Sequence, residues 1–155
     1  MRPRRGARRG APLLFLHADA RLARAGRDAI LAVLADSDVV GGNFLVRFLP
    51  ESRFTRVLVP FNDLRRRVTR RYYGDSGMFV RAPAFRRLGG VRPWPVMHDY
   101  ELSGRLRRLG RCAYIREPSV WASARRFEGR EARTALTWAA IQLAYRLGAP
   151  PERLG

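Results

Sequence analysis

The sequence predicts an α/β fold, a mixed sheet flanked by helices. Three observations carry that prediction. The run LLFLH (Leu13–His17) is continuously apolar and too short for a helix. Strand-like and helix-like patterns alternate along the chain instead of segregating. The length, 155 residues, suits one domain around one core.

Residues 1–12 are Arg, Gly, Pro and Ala with no apolar period, the composition of a flexible lead-in. LLFLH then reads as a strand buried on both faces in a parallel sheet, with Asp19 at its carboxyl end. From Leu22 to Ala35, Leu22, Ala29, Ile30, Val33 and Leu34 recur at helical spacing until Asp36, Ser37 and Asp38 break the pattern. Val39–Leu49 reads as a long strand bent at Gly41 and Gly42, and a helix is expected from Ser52, its late part carrying Arg65 to Arg71. Tyr72–Gly77 is a polar, glycine-bracketed loop, followed by the strand MFVRA and a short helix opened by Pro83 and closed by Gly89 and Gly90. After a Pro-rich loop with Trp94, Asp99 caps or enters a helix whose Leu102, Leu106 and Leu109 share a face and which ends at Gly110. Two short strands, CAYIR and SVWASA, and a last amphipathic helix from Arg130 to Leu147 complete the pattern.

The net charge of +18 would ordinarily point to a polyanionic partner. However, all 31 basic residues are Arg, as GC-rich codon usage would produce, and they are spread along the chain in knots not interleaved with aromatics. This argues against nucleic acid. The single Cys112 forms neither an internal disulfide nor, alone, a zinc site. No apolar run approaches a membrane span, and no signal-peptide stretch stands at the N-terminus, so the expectation is a cytoplasmic protein, with room for peripheral contact at the inner face of a membrane.

Two carboxylate positions carry the chemistry. Ligands in open α/β sheets sit beyond the carboxyl ends of strands, so Asp19 is placed either to bind a divalent cation or to cap the next helix. Asp99 and Glu101 open a later helix, where Asp99 suits a general base, a cap, or both.

The strings LFLHADA, YGDSGMFVRAPAFRRLGG, MHDYELSGRLRRLG and SARRFEG, in this order and with these linkers, resemble glycosyltransferase family 2, the metal-dependent GT-A fold. HAD in place of an aspartate-x-aspartate signature, YGD, SxRR before an aromatic and YRLGAPPERLG near the end are similar to the bacterial arsenosugar-biosynthesis-type subgroup, from about Ala11 onward. The resemblance implies that residues 13–155 form the C-terminal portion of a GT-A domain, lacking the first strand–helix–strand unit that holds the nucleotide base. It implies inverting transfer of a sugar from a nucleotide-sugar donor to an unidentified acceptor hydroxyl. Mn²⁺ or Mg²⁺ would be held by Asp19 and His17, Asp99 would be the base, and Arg125 and Arg126 would contact the donor diphosphate. Tyr73, Asp75, Trp94, His98 and Phe127 would face the acceptor. His98 departs from the family, which has glutamate there. Without the resemblance, Arg125 and Arg126 read equally as a solvated pair at a strand end. Two alternatives stand beside the enzyme: a non-catalytic basic module that binds nucleic acid or an anionic membrane, and an inactive scaffold. A sheet edge left open by the missing unit would favour a homo-oligomer.

Overall fold

The computed structural model describes residues 11–154, apart from the side chain of Arg126. Most of the Arg-rich lead-in, residues 1–10, lies outside the described residues. The fold is α/β, with helices packed on a mixed five-stranded sheet.

The strands are β1 (Pro12–Phe15), β2 (Ala20–Leu22), β3 (Val39–Leu49), β4 (Met78–Arg81) and β5 (Arg111–Ser123), ordered β1-β4-β3-β5-β2 across the sheet. The β3–β5 pair is parallel and the others are antiparallel, so β1, β3 and β5 run in the same direction. The helices are α1 (Ala25–Val33), α2 (Arg53–Thr69), α3 (Ala82–Arg87), α4 (His98–Leu109) and α5 (Glu131–Arg146).

Local chemistry accounts for several of these elements. α2 begins at a reciprocal cap: the Thr55 N–H donates to Ser52 Oγ at 3.1 Å and the Ser52 N–H to Thr55 Oγ1 at 2.8 Å. β3 has glycines where its neighbours approach most closely. A Cβ on Gly42 would collide with the Ala113 carbonyl of β5, and one on Gly41 would lie 2.5 Å from the Phe79 carbonyl of β4. Apolar packing forms three clusters. Ile30 and Leu34 meet Val39, Phe44, Phe79, Ile115 and Val120 under α1. Phe48, Val46 and Phe127 meet Phe54 and Leu58 under α2. Met78, Val80 and Tyr72 meet Leu102 and Leu106 of α4 on the opposite face of β4 from Phe79.

Four expectations are corrected. β1 is not a doubly buried strand of a parallel sheet. It is an antiparallel edge strand, with Leu13 and Leu14 38% and 42% exposed. A short apolar run reads alike at the centre and at the edge of a sheet. The helix expected from Leu22 begins at Ala25, because Ala20–Leu22 pairs with β5 as the other edge. The two strands CAYIR and SVWASA are one strand: the register jumps from Phe44 opposite Ile115 to Val46 opposite Val120, so residues 116–119 form a bulge. That bulge places Pro118, which has no N–H, outside the ladder, and Arg47 pins it through Glu117 at 2.8 Å and Ser119 at 3.0 Å. α5 is not simply amphipathic. None of its residues is buried, and Leu136 and Leu143 are exposed while Trp138 and Ile141 face the sheet side.

Residues 16–19 connect one edge strand to the other, crossing the end of the sheet where β1 stops and β4 starts. Among the described residues, no helix is long and apolar enough to cross a membrane.

Candidate active site

Under that crossing lies a cleft of about 350 Å³. It is walled by the crossing segment, the middle of β3, the inner side of α2, the Tyr73–Ser76 turn, the start of α4 and one side of α5. Of the residues expected at a site, His17, Tyr73, Asp75, His98 and Asp99 line it.

Asp99 sits in the first turn of α4, not at its cap, which is Met97 in a left-handed conformation (φ 63°). One of its oxygens, Oδ2, accepts the N–H of Gly74 at 2.5 Å, and Oδ1 accepts the N–H of Tyr100 at 2.6 Å. Each carboxylate oxygen can accept more than one bond, so the group is oriented and retains acceptor capacity toward the cleft. Gly74 sits between Asp99 and His17: a Cβ there would be 3.2 Å from Asp99 Oδ2 and 3.8 Å from His17 Cδ2. A side chain at Gly74 would therefore press on Asp99 and touch His17. Glu101, one turn side further on, faces away and is paired with Arg105 at 2.8 Å and Arg92 at 3.6 Å, a structural role.

Asp19 lies in the turn before β2, outside the cleft wall, with Oδ1 3.8 Å from His17 Nδ1. Among the described residues, no three His, Cys, Asp or Glu side chains converge as a metal cage. The His17–Asp19 pair offers one imidazole and one carboxylate, with no third such ligand converging on it among the described residues.

Trp94 stands outside the cleft, against Tyr145 (6.4 Å between ring centres) and under Arg92. Arg125 is exposed and does not line the cleft, and the side chain of Arg126 lies outside the described residues. Phe127 is corrected. It is 1% exposed and locked edge-on against Phe48, Phe54 and Trp138, so it belongs to the core, not to an acceptor surface.

Sequence reasoning missed the floor of the cleft. Asn43 projects from the apolar strand β3, its Nδ2 donating to Ser76 Oγ at 3.1 Å, while Ser76 Oγ donates to the Tyr73 carbonyl at 2.6 Å. Arg66, 6% exposed, donates from Nε to Asn43 Oδ1 at 2.7 Å. This chain ties α2, β3 and the Tyr73–Ser76 turn together. An Asn inside an apolar strand is a legible signal, since Asn is disfavoured there unless bonded. Arg66 was hidden in a run of three arginines.

The Arg knot from residue 65 to 71 is also more internal than its sequence suggests. The guanidinium of Arg65 lies 4.5 Å from the Tyr73 ring centre, Arg66 lies 4.8 Å from Tyr72 and 5.1 Å from Tyr114, and Arg71 lies 5.2 Å from Tyr100. Burial pushes the Tyr73 phenol up to about 12, with Arg65 opposing the shift and Tyr100, Asp99 and Asp75 adding to it. Burial also raises the Cys112 thiol, which suits an inert core residue.

No protein-family model matches the chain, and neither a curated protein nor a solved structure is similar to it.

Proposed function

We propose that the chain is the catalytic portion of a glycosyltransferase of the family 2 kind, moving a sugar from a nucleotide-sugar donor to an acceptor hydroxyl with inversion. The observation that supports this most directly is Asp99, a carboxylate aimed along a cleft and fixed by two backbone N–H groups beside His17. In this reading Asp99 takes the proton from the acceptor hydroxyl as its oxygen attacks the anomeric carbon. The bond from that carbon to the donor diphosphate breaks, and the diphosphate leaves with the electron pair. Tyr73 and Trp138 line the cleft that a sugar ring would enter. His17 and Asp19 are the residues that would hold Mn²⁺ or Mg²⁺, which when bound neutralises charge on the leaving diphosphate. The protein's own contribution is orientation and fixed charge.

The test is release of nucleoside diphosphate from a panel of nucleotide sugars with Mn²⁺ present. Turnover that falls about 10²- to 10⁴-fold in Asp99→Asn supports the reading. No turnover of any donor, or turnover unchanged in Asp99→Asn, contradicts it.

One observation favours a second reading, a basic module at an anionic membrane surface. α2 is inverted: Asp63 and Arg66 are buried, whereas Val57, Phe61, Leu64 and Val68 are 69%, 61%, 56% and 73% exposed along one stripe. Exposed Arg53, Arg56, Arg67 and Arg70 accompany it. An apolar stripe with an arginine rim matches the headgroup boundary of an anionic bilayer. Cosedimentation with anionic but not neutral vesicles, lost in Phe61→Ser with Leu64→Ser, would support it.

A further inference from the structure

The two arginines on the cleft side of α2 lack acidic partners. Among the described residues, neither Arg65 nor Arg66 is within ion-pair reach of a carboxylate. The nearest acid on the helix, Asp63, is already engaged: Oδ1 accepts from the Tyr114 hydroxyl at 2.9 Å, and Oδ2 faces Arg116 at 3.1 Å and Arg67 at 3.5 Å. Arg66 is almost fully buried between two tyrosine rings, with Asn43 as its closest bonding partner and a longer contact of 3.5 Å to the Ala113 carbonyl. Arg65 stacks on Tyr73, and its Nη1 is buried without a hydrogen-bond partner. A buried guanidinium without a counter-charge and a buried donor without an acceptor are both unfavourable, and an anion at that spot would relieve both.

Arg65 and Arg66 line this cleft together with His17, Asp75, His98 and Asp99. We propose that Arg65 and Arg66 form a phosphoryl subsite, which takes the diphosphate of a nucleotide-type ligand at the α2 wall of the cleft. Arg65, held on the Tyr73 ring with Nη1 unbonded, supplies the donor to a phosphate oxygen, while Arg66, whose Nε and Nη2 are engaged by Asn43 and Ala113, adds a fixed positive charge beside it. Of the two residues to which the resemblance gives this contact, Arg125 is outside the cleft and the side chain of Arg126 lies outside the described residues, whereas Arg65 and Arg66 line the cleft. Naming the ligand as a sugar donor rests on the transferase reading; phosphoryl binding itself does not.

The experiment is calorimetric titration of the full chain with inorganic pyrophosphate in the presence of a chelator, so that no cation contributes. The expected result is binding that weakens at least tenfold in Arg65→Gln and in Arg66→Lys, while exposed Arg86→Gln on α3 leaves it unchanged. Thermal melting of Arg65→Gln should match the parent, which separates lost binding from lost folding. Titration with a nucleoside diphosphate then distinguishes sources: tighter binding than pyrophosphate marks a nucleotide ligand, and equal binding marks a phosphoryl group alone, with the subsite supported either way. Retained pyrophosphate binding with no turnover of any nucleotide sugar would count against the transferase and leave the subsite standing. No pyrophosphate binding, binding untouched by Arg65→Gln, or equal weakening by Arg86→Gln would overturn it.

Discussion

The carboxylate of Asp99 accepts the backbone N–H of Gly74 at 2.5 Å, which couples the first turn of α4 to the turn that precedes β4. This bond ties the Asp99 carboxylate to the Tyr73–Ser76 turn, and Gly74 leaves the space beside it free of a side chain.

Gly74→Ala should disturb activity more than stability. Its Cβ would press on Asp99 Oδ2 at 3.2 Å and reach His17 at 3.8 Å. A displaced base costs rate steeply, so sugar transfer should fall about 10- to 100-fold with a near-parental melting curve. Steady-state turnover and calorimetry on the same preparation check this.

Phe127→Ala should act on stability alone. The ring fills a space bounded by Phe48, Phe54 and Trp138, and its removal should cost about 3–5 kcal/mol, measured by urea unfolding. An acceptor contact would instead change the Michaelis constant of a stably folded variant.

Gly42→Ala should destabilise by about 1–3 kcal/mol without a change at the cleft, because the new Cβ meets the Ala113 carbonyl in the neighbouring strand. The same unfolding experiment reads it.

Stability should decline in alkali over a defined window. The Tyr73 phenol is raised to about 12 in the folded chain, against about 10 when unfolded. Between those values the folded state binds more protons than the unfolded state, so stability falls as pH rises through the window. Tyr73→Phe should make the decline shallower, as followed by unfolding at stepped pH.

What could be read from the residues alone followed from local chemistry. Ser52 announced the start of α2 because a serine side chain answers an open helix N–H three residues on, and β3 was legible to both ends because acids precede it and Pro50 follows it. Asp99 was legible as a candidate because an acid opens a helix after a Pro-rich loop, whereas His17 and Tyr73 were candidates through the resemblance alone. The edge position of β1 was not legible, because pairing depends on residues 63 or more positions away: Phe15 lies opposite Met78. The bulge at Arg116–Ser119 was hidden for the same reason, since only the register against β3 shows that the strand continues. Phe127 was misread because the resemblance gave it an acceptor role, and only the fold brings Phe48 and Phe54 over it. The α2 wall was invisible because helix phase alone does not say which of three successive arginines turns inward, and here the inward stripe carries Asp63 and Arg66.

On the transferase reading, the cleft accepts a nucleoside diphosphate with the help of a cation at His17 and Asp19. Calorimetric titration with a nucleoside diphosphate, with and without Mn²⁺, tests it most directly. The expected result is binding that Mn²⁺ strengthens, that Asp19→Ala returns to its metal-free strength, and that Asp99→Asn preserves. Binding that is absent under both conditions, or that is equal in the parent and Asp19→Ala with Mn²⁺ present, would contradict it.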